Sequence, residues 1–149
     1  MAQPIKGAGT CMSFSAVKPV TYDAVGFAAL AWTPSTELRV SGDLNATRSL
    51  TTVQRICSQE VKKILGSIDE GSQSIELGFD PANGGQVILH DAFRNASDNS
   101  VYARRTLSNG HVTYYEGLVS QEGDTTVDGD EVVWKGQLEI NGARIDIPA

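Results

Sequence analysis

The sequence predicts a mainly β protein, an antiparallel β-sandwich or barrel with one flanking α-helix at about residues 81–97. An extended N-terminal arm and a long loop or hairpin over 42–58 complete the expectation. Three observations carry it. Short runs alternate apolar and polar residues with period 2, as half-buried strands do. Asn109-Gly110 and Asn141-Gly142 are tight hairpin-turn pairs flanked by such runs. The stretch from Val87 to Ala96 spaces its apolar residues as a helix does.

Residues 1–9 carry Pro4, Gly7 and Gly9 without any period and read as a flexible arm, with Ile5 an apolar anchor for a neighbour. Thr10 to Ser15 alternates Met12 and Phe14 against small residues, a short strand that Lys18-Pro19 breaks. Val25 to Trp32 is small and apolar, and both a buried strand and a short helix fit it. Thr33-Pro34-Ser35 reads as a turn, and Thr36 to Ser41 as a strand with Leu38 and Val40 on one side. Gly42 to Ser58 is rich in Thr, Ser and Asn, with Leu44, Leu50, Val53 and Ile56 scattered through it. So long a stretch inside a domain is usually functional or disordered, and the apolar residues argue against plain disorder. It reads as an arm or hairpin ordered against another subunit. Glu60 to Ile68 fits a helical turn or a strand.

The centre of the chain, Ser74 to Ser120, reads as strand, helix and hairpin. Ile75, Leu77 and Phe79 alternate with Glu76 and Gly78. Asp80-Pro81 offers an N-cap and a first-turn proline, although Gly84-Gly85 weakens the first turn enough that the helix can begin near them. Val101 to Leu107 and His111 to Val119 pair across Ser108-Asn109-Gly110. Gln121 to Asp130 is an acidic loop, Glu131 to Ile140 alternates, and Ala143 to Ile147 ends the chain as a strand with Ile145 and Ile147 on one side.

At 149 residues the chain is expected to form one domain, burying about two thirds of its unfolded surface. It has no run of 18 apolar residues and no charged-then-apolar leader pattern, so the expectation is a cytoplasmic chain with Cys11 and Cys57 as reduced, partly buried thiols. The net charge of −6 is unevenly spread: residues 1–68 carry seven Lys/Arg against four Asp/Glu, residues 69–149 five against fourteen. A basic half and an acidic half suit head-to-tail stacking of copies. A protein that grips DNA by its phosphates is basic overall, and this one is acidic.

Catalytic signals are weak. The two histidines, His90 on the helix and His111 beside the hairpin turn, read as surface residues, and no nucleophile elbow, phosphate loop or His-Glu-x-x-His is present. Asp124, Asp128, Asp130 and Glu131 offer oxygen ligands, but not at calcium-loop spacing. Arg104 and Arg105 point to opposite faces of a strand, so they form no phosphate patch, and Tyr102, Tyr114 and Tyr115 read as sheet packing. No cofactor or metal is expected. A self-assembling structural protein, a carboxylate-pair enzyme and a small ligand-binding β module all remain open on these residues.

Lys6-Gly7-Ala8-Gly9-Thr10 at the opening of the first strand is similar to the start of lambda-like tail tube proteins. The order that follows resembles the tail tube (major tail) proteins of long non-contractile-tailed bacteriophages, the siphoviruses. It comprises the polar stretch at 42–58, Ile75-Glu76-Leu77 before a helix with Gly85-Gln86, Ser100 to Arg104, Asn109-Gly110, and Tyr114-Tyr115-Glu116-Gly117. Secretion-system tube proteins and tail terminator or connector ring components share the fold and are the alternative.

The resemblance implies no enzyme but a virion protein, assembled in the host cytoplasm, whose six copies form a ring. Rings stack into a tube that genomic DNA traverses without specific binding, and an acidic lumen would repel its phosphates. It implies tape measure, tail terminator and tail tip proteins as partners and no membrane. Many relatives add an immunoglobulin-like C-terminal domain; here a single domain over 1–149 is expected. By the same analogy Ile5 and Lys6 in the arm, and Arg48, Leu50, Val53 and Arg55 in the 42–58 stretch, would contact neighbouring subunits.

Overall fold

The computed structural model describes residues 7–35, 38–57, 59–95, 100–126 and 132–148, among which the chain forms ten strands and two helices. The strands are β1 (Cys11–Ser15), β2 (Thr33–Ser35), β3 (Leu38–Ser41), β4 (Thr47–Gln54), β5 (Val61–Asp69), β6 (Ser72–Gly78), β7 (Ser100–Thr106), β8 (Val112–Thr125), β9 (Val133–Ile140) and β10 (Ile145–Ile147). Helix α1 covers Ala24–Ala28 and α2 Gly84–Arg94.

Eight strands make one antiparallel sheet in the order β2-β1-β7-β8-β9-β6-β3, with β10 also paired to β8. Met12 and Phe14 of β1 and Ile75 and Leu77 of β6 lie four strands apart in that order, yet they share one buried cluster. The sheet therefore curls over its own apolar face, a barrel left open along the seam between β1 and β3. Helix α2 closes the core with Leu89 and Ala92. The opposite face carries a smaller cluster of Phe27 from α1 with Tyr102 and Tyr114. Alternation explains the division: Val101 and Ala103 point to the large cluster, and Tyr102 between them to the small one.

Several local expectations shift. The first turn of α2 starts at Gly84, not at Pro81. Asn83 is its N-cap, its Oδ1 accepting from Gly85 N and Gln86 N, while Asp80 and Pro81 form a turn ahead of it. The helix ends at Arg94, and the expected tail over 96–97 lies outside the described residues. Val25 to Trp32 resolves into the short helix α1, capped by Asp23, so a second helix joins the one expected. Thr33-Pro34-Ser35 is a strand rather than a turn, because β1 offers it a partner. A bulge at Arg39 puts Leu38 against the core and leaves Val40 exposed, so they do not share a side.

The acidic stretch is not all loop. Strand β8 runs on to Thr125 against β9, and residues 127–131 lie outside the described residues. A bulge at Ser120 reverses the phase of β8, so Val119 faces the core and then Glu122 and Asp124 face α2. The Asn109-Gly110 hairpin forms as expected, with Gly110 at φ +92°, a conformation that favours glycine.

Candidate assembly interface

Strands β4 and β5 pair only with each other, as a two-stranded sheet separate from the eight-stranded one. All eight residues of β4 are exposed, and so are all of β5 except Gly66. At about 3.3 Å per residue, eight residues project roughly 25 Å. The two ends of the ribbon meet where the backbone of Asn45 touches Gly71. A lone hairpin is marginal in water, so this ribbon needs a partner to be rigid.

Directly paired residues share a face. One face presents Leu50 with Leu65, Gln54 with Val61, and Arg48 with Ile68; the other presents Val53 with Lys62 and Thr51 with Ile64. Leu50, Val61, Ile64, Leu65 and Ile68 are each more than half exposed. An exposed apolar surface of this extent marks an interaction site. The expected contact residues Arg48, Leu50 and Val53 thus sit on the ribbon, Leu50 and Val53 on opposite faces, with Arg55 at the start of its tip. Ile5 and Lys6 lie outside the described residues. Val61, Ile64, Leu65 and Ile68 were not singled out from sequence. Pairing of the 47–54 run with the 61–69 run was the signal available for them.

The edges of the large sheet, by contrast, are guarded. Strand β2 is three residues long and contains Pro34, which cannot donate to a ladder; β3 is four residues long and bulged.

Neither histidine builds a catalytic site. The His90 Nδ1 meets Glu122 Oε1, and Trp134 Nε1 donates to the same oxygen at 3.3 Å, with Arg94 Nε 3.7 Å from the other. His111 Nε2 lies 3.4 Å from Asp146 Oδ1, which also accepts from Thr113 Oγ1 at 2.9 Å. That hydroxyl sits on a fully buried residue and donates to the carboxylate, not to the imidazole, so it is not placed as a histidine-activated nucleophile on the surface. Burial pushes Asp146 up, but the bonds from Thr113 and His111, helped by the charge of Arg144, outweigh it and hold the carboxyl below its usual range.

Among the described residues no three His, Cys, Asp or Glu side chains converge as metal ligands; Asp124 is described, and Asp128, Asp130 and Glu131 are not. Cys11 and Cys57 are free and exposed rather than partly buried. Arg104 stacks on Trp32 and donates to Ser13, away from the face that holds Tyr115, so the two arginines form no joint patch.

No protein-family model matches the chain, and no curated protein does. Solved structures match over nearly its whole length. A chain of the anti-feeding prophage baseplate, solved with sixfold symmetry, superposes with a TM-score of 0.74 at 10% identity, covering 97% of each chain. The chain shares the fold of that baseplate chain. A chain of the sheath/tube terminator of the PVC extracellular contractile injection system gives 0.70 at 11% identity, covering 99% of both. A chain of the SPP1 tail tube gives 0.69 at 14%, covering 98% of this chain and 80% of that one. The same fold thus recurs in a baseplate chain, a contractile-injection-system terminator chain and a tail tube chain.

Proposed function

We propose that this chain is a structural virion protein. Its copies self-assemble into stacked hexameric rings, forming the tail tube through which a phage genome passes into its bacterial host. The observation that carries the reading is the β4–β5 ribbon, apolar on both faces and, among the described residues, paired with no strand but its own two. Fully burying a Leu or Val contributes about 1.5–3 kcal/mol, so the ribbon's residues supply ample drive once a second copy covers them. The tail fold, with its likeness to a chain of the SPP1 tail tube, supports a tube, and the symmetry of the anti-feeding prophage baseplate supports six copies per ring.

Arg48, Leu50, Val53 and Arg55 contact the neighbouring subunit, as do Ile5 and Lys6 of the arm. Tape measure, terminator and tail tip proteins are the other partners, in the siphovirus manner. The acidic chain carries DNA through without gripping its phosphates and catalyses no reaction. Its place is the virion tail, reached after assembly in the bacterial cytoplasm. A terminator or connector ring is the competing reading, favoured by the likeness to a chain of the PVC terminator.

Electron microscopy of the purified chain tests the proposal. Long tubes are expected; single closed rings would favour the terminator, and particles that stay monomeric at every concentration would overturn both. Excising residues 47–69, whose flanks already touch at Asn45 and Gly71, is expected to leave a folded monomer that forms no tubes.

A further inference from the structure

Between α2 and the β8–β9 hairpin lies a cleft of about 500 Å³. Its walls combine Phe79 and Val87, both well exposed, with the indole of Trp134. Its charged groups are His90, Asp91 and Arg94 from the helix and Glu122 and Asp124 from β8. Glu122 is compensated by His90 and Arg94, whereas Asp91 and Asp124 take part in no ion pair among the described residues, which leaves the rim acidic. The Oε2 of Glu122 is buried without a hydrogen-bond partner, Arg94 being too far at 3.7 Å to supply one. An apolar recess with an acidic rim and an unfilled acceptor fits a basic-apolar guest.

The ribbon tip has that chemistry. Ile56 is fully exposed, Arg55 precedes it, and Lys62 and Lys63 follow on β5. None of these three cations has an ion-pair partner among the described residues. We infer that the cleft receives the ribbon tip of a second copy of this chain. Ile56 enters between Phe79, Val87 and Trp134, Arg55 donates to Glu122, and Lys62 meets Asp91 and Asp124. This rests on the reading that the chain assembles through its ribbon, and it names the surface that the ribbon meets. The basic tip and acidic cleft make the contact head-to-tail, which propagates instead of closing a pair.

Charge reversal with complementation tests it. D91K/D124K and R55E/K62E each place like charges across the contact and are expected to raise the critical concentration for assembly by about tenfold or more. Asp91, Asp124, Arg55 and Lys62 are all exposed, so circular dichroism is expected to show every variant folded. Combining the two pairs in one chain is expected to restore assembly. As a second readout, V87C places a thiol in the cleft that a short bis-maleimide joins to Cys57 of another copy in assembled samples, and C57S abolishes the product. Unaffected single pairs, failed rescue or no cross-link would each overturn the cleft assignment while leaving the proposed function standing. A wild-type chain that never assembles overturns both.

Discussion

The eight-stranded body and the two-stranded ribbon are made of the same backbone structure and draw on similar residues, yet they differ in where their apolar side chains go. In the body, Phe14, Leu77 and Tyr115 point inward and are fully buried by the chain's own strands and helix. In the ribbon, Leu50, Ile64 and Leu65 stay more than half exposed. One chain thus holds two kinds of hydrophobic surface, one that the fold buries and one that it leaves exposed. The guarded edges of the large sheet sharpen the contrast, because a short β2 with Pro34 and a bulged β3 discourage pairing at the places where a sheet most readily pairs with another.

Truncation separates the two surfaces most strongly. Phe14→Ala removes a fully buried ring and is expected to destabilise the fold by about 3–5 kcal/mol, measured by denaturant unfolding. Leu50→Ala on the ribbon is expected to change stability by less than about 0.5 kcal/mol, yet to weaken assembly in sedimentation. Equal losses of stability in both would break the distinction.

The next effect lies in the polar interior. Tyr115 donates to Gln73, whose amide in turn donates to Ser41 Oγ and Gly42 O, both at 3.1 Å, joining β8, β6 and the exit of β3. Tyr115→Phe leaves the buried Gln73 oxygen without its donor and is expected to cost about 1–3 kcal/mol. Asn83→Ala removes the α2 cap and is expected to cost about 1 kcal/mol, visible as a lower thermal midpoint. Neither is expected to alter the critical concentration of whatever chain remains folded.

How legible each region was in the sequence follows the same division. Buried strands read well, because a core on one side imposes period 2: Ile75 and Leu77 in β6, and the hairpin around Asn109-Gly110, stand where alternation and turn chemistry put them. The ribbon's second strand read poorly for a physical reason. Val61, Ile64, Leu65 and Ile68 fall at helical spacing, and no buried face of its own chain forces them to alternate, so strand and helix fitted equally. Proline at 81 and aspartate at 80 look like a helix start, but Asn83 caps the backbone three residues after Asp80, since Gln86 must reach back to Gly78 O and Asp80 N to be satisfied when buried. The bulge at Ser120 was invisible as well, and with it the rotation that turns Glu122 and Asp124 toward α2. The acidic cleft therefore could not be read from residue types, whereas the stretch that forms β4, with Arg48, Leu50 and Val53, was singled out as a hairpin or arm.

The smallest expected effect sharpens the comparison by solvent condition. In the body, Asp146 fastens β10 to β8 through Thr113 and His111, and its carboxyl is held below the ordinary value of 3.8. A depressed native value means that the stabilisation is complete above 3.8 and is lost as the pH falls through the lower native value. Asp146→Asn is thus expected to lower the urea midpoint slightly at neutral pH and not at all in strong acid, where the wild type has lost the same bonds. The ribbon depends on charge differently. Its cations Arg55 and Lys62 are exposed with no ion-pair partner among the described residues and in the proposed contact meet carboxylates across the interface, so assembly is expected to weaken as added salt shortens the screening length from about 10 Å at 0.1 M toward 3 Å at 1 M. Under the same change the urea midpoint of the excised body, lacking 47–69, should hold steady. A body that unfolded with salt, or an assembly indifferent to it, would mean that the two surfaces are not separate after all.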